Sequence, residues 1–110
     1  MSRFDHLSIN HASNRTTINC TIKGSSNGSW ALLECIVEAF PPALTFWVQG
    51  DARMVEANWK YKMSQEDIGP YTTQLKLNIT YVEPQDYGLF KCVSKNERGS
   101  TFGLFTVYSE

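Results

Sequence analysis

The chain has 110 residues, 42% of them hydrophobic and 13% aromatic, with a formal net charge of −1. That size predicts one domain burying roughly two-thirds of the surface its unfolded chain exposes. The composition excludes a disordered chain, and the near-neutral charge gives no electrostatic basis for binding nucleic acid. The longest apolar stretches, residues 36–42 and 43–48, are far too short to cross a bilayer, so no direct membrane insertion is expected of this segment.

Taken in chain order, the pattern is one of short strands separated by turn residues, with almost no helical periodicity. Residues 1–28 are polar, and this segment is expected to supply a first edge strand ahead of a packed domain at 29–110. Residues 16–22 alternate cleanly, with Ile18, Cys20 and Ile22 on one side and Thr17, Asn19 and Thr21 on the other. Either 4–9 or 16–22 can serve as the edge strand, and 16–22 is favoured as the partner of the last strand, with 1–14 loosely held. Asn27-Gly28 marks a tight turn.

In the strand that follows, Ala31, Leu33, Cys35 and Val37 share the inward face, and Pro41-Pro42 ends it. A strand at 44–49 carries Trp47 inward. Residues 54–56 and 60–64 are weaker strands, and 65–70 reads as a loop. Residues 74–80 alternate again, with Leu75, Leu77 and Ile79 in and Asn78 out. Residues 85–88 turn the chain into a strand carrying Phe90, Cys92 and Ser94. Gly99 closes a hairpin turn suited to positive φ, and 102–108 form the last strand, with Phe105 and Val107 inward.

Little in this pattern suggests catalysis. There is no nucleophile elbow, no Gly-rich phosphate loop and no base to partner Cys20. His6, His11 and Cys20 match no zinc spacing, so no metal and no cofactor is expected. Asn14, Asn19, Asn27 and Asn78 each begin an Asn-x-Ser/Thr acceptor triplet.

Cys35, Trp47 and Cys92 stand in the order found in immunoglobulin sandwiches. Asp86-Tyr87-Gly88-Leu89-Phe90-Lys91-Cys92 resembles the D-x-G-x-Y-x-C signature of those domains, with Phe90 in the tyrosine position. Cys92-Val93-Ser94-Lys95-Asn96-Glu97-Arg98-Gly99 resembles the C-x-A-x-N-x-x-G of the I-set. The resemblance implies an all-β, two-sheet Greek-key sandwich with a disulfide between Cys35 and Cys92 and a core of Trp47, Leu77 and Phe90. It also implies an ion pair from Asp86 to a basic residue at Lys60 or Lys62, with Lys60 preferred. Cys20 is then left over, as a buried inert thiol or as the partner of a cysteine elsewhere. The four triplets beside this cysteine pair favour an extracellular or cell-surface origin, as a segment of a longer precursor.

From Trp30 onward the chain resembles neuronal adhesion molecules of the lachesin, IgLON and Dpr-interacting-protein type. The similarity is carried by Leu33-Glu34-Cys35-Ile36-Val37-Glu38-Ala39-Phe40-Pro41, by Trp59-Lys60-Tyr61-Lys62-Met63 and by Gly103-Leu104-Phe105-Thr106-Val107-Tyr108. It implies the third, membrane-proximal domain of such a protein, a non-catalytic spacer and contact module. Its partners would be other immunoglobulin-superfamily surface molecules and adjacent domains of the same chain. Rival readings are a ligand-binding module of a receptor ectodomain and a cytosolic, sarcomere-type structural module. If the Trp47, Cys92 and last strands are neighbours, Phe46, Val48, Val93 and Leu104 form one outward apolar patch ringed by lysines, the candidate contact face.

Overall fold

Period-two alternation becomes nine strands among the residues described by the structure, a computed structural model covering residues 2–9, 16–25 and 28–109. They are β1 (Ser2–Ile9), β2 (Thr17–Gly24), β3 (Ala31–Glu38), β4 (Leu44–Gln49), β5 (Arg53–Met54), β6 (Tyr61–Gly69), β7 (Thr72–Ile79), β8 (Gly88–Asn96) and β9 (Gly99–Ser109). One antiparallel sheet has the order β1-β9-β8-β4-β5 and the other β2-β3-β7-β6. The two face each other as an all-β, immunoglobulin-like sandwich.

The core lies between the sheets. From the four-stranded sheet come Leu33, Val37, Leu75, Leu77 and Ile79, and from the five-stranded sheet Trp47, Phe90, Phe105 and Val107, all buried. Each large side chain so buried stabilises the fold by roughly 1.5–3 kcal/mol relative to exposure. The Trp47 and Phe105 rings meet with centroids 5.8 Å apart. The β8–β9 hairpin closes with Asn96 opposite Gly99, whose φ of 145° is a conformation few side chains accept. The Asn96 side chain accepts from the Arg98 N–H at 2.9 Å and donates to the Pro41 carbonyl at 2.8 Å, tying this turn to the proline loop.

The first two strands are placed differently from the sequence expectation. It is β1 that lies beside the last strand, from Ser2 opposite Ser109 to Ile9 opposite Phe102. The segment favoured for that position, β2, instead pairs with β3 from Thr17 opposite Glu38 to Gly24 opposite Ala31. Alternation says which way a side chain points but not which strand lies alongside. Connection length decides here, because the short link from β2 to β3 favours a hairpin. The Ser25 hydroxyl stiffens that link by accepting from the Ser29 N–H at 2.7 Å. Likewise β6 runs on to Gly69 through residues expected as a loop, because β7 supplies a ladder to polar and apolar residues alike, with a register shift between Asp67 and Gly69.

The disulfide also differs. Cys35 is bonded to Cys20, and Cys92 is a buried free thiol. The expected Cys35–Cys92 bridge is replaced because Cys20 lies directly across the β2–β3 ladder from Cys35, with Cα atoms 4.1 Å apart. Burial pushes the Cys92 thiol up to about 12, so it stays protonated at neutral pH. Gly103, opposite Cys92 on β9, makes room for the bridge: a Cβ there would collide with the Cys20 sulfur and come within 3.5 Å of the Cys35 sulfur. Gly103→Ala is therefore expected to destabilise the domain by about 1–3 kcal/mol, the usual cost of overpacking a core. An unchanged urea midpoint would show that β9 can move aside.

Candidate functional site

Two constellations stand out, one closed and one open. The closed one surrounds Asp86, which is fully buried at the end of a short 3₁₀ turn, Pro84–Asp86. Glu83 and Asp86 cap that turn reciprocally, and Pro84 begins it with the φ such a turn needs. Asp86 Oδ2 lies 2.6 Å from Lys60 Nζ and accepts from the Glu83 N–H at 2.8 Å, and Oδ1 accepts from the Tyr61 hydroxyl. Lys60 Nζ also reaches Glu83 Oε1 at 2.7 Å.

Burial opposes the charge on Lys60, yet hydrogen bonds and attraction from Asp86 and Glu83 outweigh it and hold its pKa above the ordinary value. Burial and the bond to Asp86 raise the Tyr61 pKa as well. The partner of Asp86 is thus Lys60, while Lys62 points to solvent. Sequence reasoning missed Tyr61 and Glu83. The Glu83-Pro84-Gln85-Asp86 spacing was the available signal for the second, as a reciprocal cap. Tyr61 packs against Phe90, with ring centroids 6.3 Å apart, and anchors this corner with a hydroxyl that Phe90 lacks. Lys60 and Asp86 are both buried and paired with each other, so their contacts tie the start of β6 to the 3₁₀ turn.

The open constellation is the outward face of the five-stranded sheet. Pairing places Phe46, Val93 and Phe102 in one row across β4, β8 and β9, and Val48, Lys91 and Leu104 in the next. Phe46, Val93, Phe102 and Leu104 are half-exposed. Val48 is only 8% exposed, so of the four expected patch residues it offers little surface. Met54, beside Val48 on β5, is 58% exposed and extends the second row instead. Lys91 Nζ lies 5.2 Å from the centre of the Phe102 ring, a cation–π contact that sets a charge within the apolar rows.

Asn19 on β2 is exposed and Asn78 on β7 half-exposed. Asn14 and Asn27 lie outside the described residues. Among the described residues there is no cluster of three or more metal-binding side chains and no helix long and apolar enough to cross a membrane. A cleft lined by Pro42, Gln65, Asp67 and Tyr71 contains no histidine or cysteine.

Comparison with known proteins bears on this geometry. The immunoglobulin I-set domain family matches residues 23–107. Neural cell adhesion molecule L1 of Takifugu rubripes is 30% identical over 78 residues, covering 71% of this chain and 5% of that protein. Neuronal cell adhesion molecule of Mus musculus is 28% identical over 85 residues, covering 77% and 6%. Lachesin of Drosophila melanogaster is 31% identical over 67 residues, covering 61% and 18%. The chain thus spans a small fraction of the length of these relatives. Among solved structures, the complex of Dpr2 Ig1-Ig2 with DIP-Theta Ig1-Ig3 superposes with a TM-score of 0.69 at 26% identity, over 81% of this chain and 30% of that one. The twitchin kinase region of C. elegans, at 22% identity and a TM-score of 0.56 over 81% of this chain and 15% of that one, shares the fold. The sandwich, the matched span and the adhesion-molecule relatives agree: this chain belongs to the immunoglobulin I-set domain family.

Proposed function

We propose that this domain is a non-catalytic, extracellular module of a cell-surface adhesion protein, serving as a spacer and making protein contacts through its five-stranded sheet. The observation that carries the reading is the pair of outward rows built from Phe46, Val93, Phe102 and Leu104 with Lys91 among them. Apolar side chains aligned in adjacent rows form a patch of the kind that marks contact surfaces. The adhesion-molecule relatives and the Dpr2–DIP-Theta neighbour support an immunoglobulin-type partner. The Cys20–Cys35 bond supports an oxidising compartment. Docking against the end of an adjacent domain, as in a third, membrane-proximal position, leaves this face free.

Val93→Glu tests the reading. Residue 93 lies between buried Cys92 and buried Ser94 in sequence and points outward, so the fold should accept the change. A carboxylate desolvated in the contact costs several kcal/mol, so aggregation of cells displaying the full ectodomain should weaken at least tenfold while the melting temperature stays put. Normal adhesion by a normally folded mutant would leave the spacer role alone.

A further inference from the structure

The two acceptor triplets within the described residues share one surface. Asn19 is flanked in sequence by buried Ile18 and Cys20, and Asn78 by buried Leu77 and Ile79, so both side chains point away from the core on the four-stranded sheet. They lie two strands and four ladder positions apart, about 10 Å across the strands and 13 Å along them. Neither amide makes a hydrogen bond with another described residue. Each asparagine has an outward aliphatic side chain directly across the ladder: Ile36 opposite Asn19 and Leu32 opposite Asn78. Ile36 is 37% exposed, and Trp30, beside Leu32, is 42% exposed. The rest of this face is polar and charged, with Lys23, Glu34, Glu38, Lys62, Glu66 and Lys76.

We infer that Asn19 and Asn78 are both N-glycosylation sites and that their two glycans cover this sheet face, screening Ile36, Leu32 and Trp30 and leaving the five-stranded sheet as the face open to protein partners. The inference rests on the extracellular reading above. In the attachment, the asparagine Nδ2 bonds to the anomeric carbon of a lipid-pyrophosphate-linked oligosaccharide. The bond from that carbon to the pyrophosphate oxygen breaks, the lipid pyrophosphate leaves with the electron pair, and the amide proton passes to a base of the transferase.

The test uses the full-length protein secreted by or displayed on insect or mammalian cells. Peptide mapping after enzymatic deglycosylation in heavy-oxygen water should mark Asn19 and Asn78 both. Oxidative footprinting of the folded protein should then show Trp30 labelled at least threefold more slowly than in the Asn19→Gln/Asn78→Gln variant, with Phe102 labelled equally in the two. Sugar confined to Asn14 or Asn27 overturns the assignment while the extracellular reading stands. No sugar on any triplet overturns both. Equal labelling of Trp30 with both sites occupied overturns the screening of this face. The adhesion effect of Val93→Glu is read separately and is indifferent to all of these outcomes.

Discussion

Asp86→Ala is expected to destabilise the domain by about 3–5 kcal/mol, the range for removing one partner from a buried charge pair. The substitution leaves Lys60, 3% exposed, with Glu83 as its only remaining charged partner among the described residues and leaves the Tyr61 hydroxyl without the Asp86 acceptor. It also removes the side chain that caps the 3₁₀ turn leading into β8. Glu83 keeps part of the compensation, which places the expected value toward the lower end of the range. Lys60→Met in the same background should recover part of the loss, because a similar apolar volume removes the uncompensated ammonium. The pair of single variants and the double variant form a cycle that isolates the interaction. Chemical denaturation measures all three, and a loss below about 1 kcal/mol for Asp86→Ala would mean that water reaches this corner.

Breaking the disulfide is the second large effect. The bridge spans a sequence separation of 15 residues, for which the chain-entropy model gives about 3 kcal/mol. Cys35→Ala should cost about 2–5 kcal/mol, the usual range when a small domain loses a native bridge. Cys20→Ala should lower stability by a comparable amount, since either change opens the same bond. Cys92→Ala is the contrast: it removes one small buried thiol and should cost about 1 kcal/mol. Alkylation without reductant should modify Cys92 alone, and only after unfolding, because its sulfur is buried. A large loss for Cys92→Ala with little for Cys20→Ala would reverse the pairing.

The disulfide also shows where legibility ended. Alternation around Cys20 and Cys35 marked both as inward, and both are. Which sulfur lies within bonding reach depends on strand neighbourhood, and Cys20 lies directly opposite Cys35 only because β2 folds back on β3 as a hairpin. The same step moved β1 to the edge beside β9. On the outward face of the five-stranded sheet, the outward direction of Val48 was legible from its place next to Trp47. Its burial was not, since solvent exposure depends on the side chains that the neighbouring strands β5 and β8 lay around it.

What the order of residues determined by itself was local and periodic: strands where apolar and polar positions alternate, a turn at Gly99, a core of Trp47, Leu77 and Phe90, and membership in the I-set through the run into Cys92. Those features are written in two- to seven-residue patterns, and backbone geometry reads them without knowledge of distant partners. Only the tertiary structure decided the strand order, the choice of Cys20 for Cys35, the closing of Tyr61 and Glu83 around Asp86, and the gathering of Asn19 and Asn78 onto one sheet face. Each of these joins segments through ladders or packing between the sheets, and such contacts depend on which strands end up side by side.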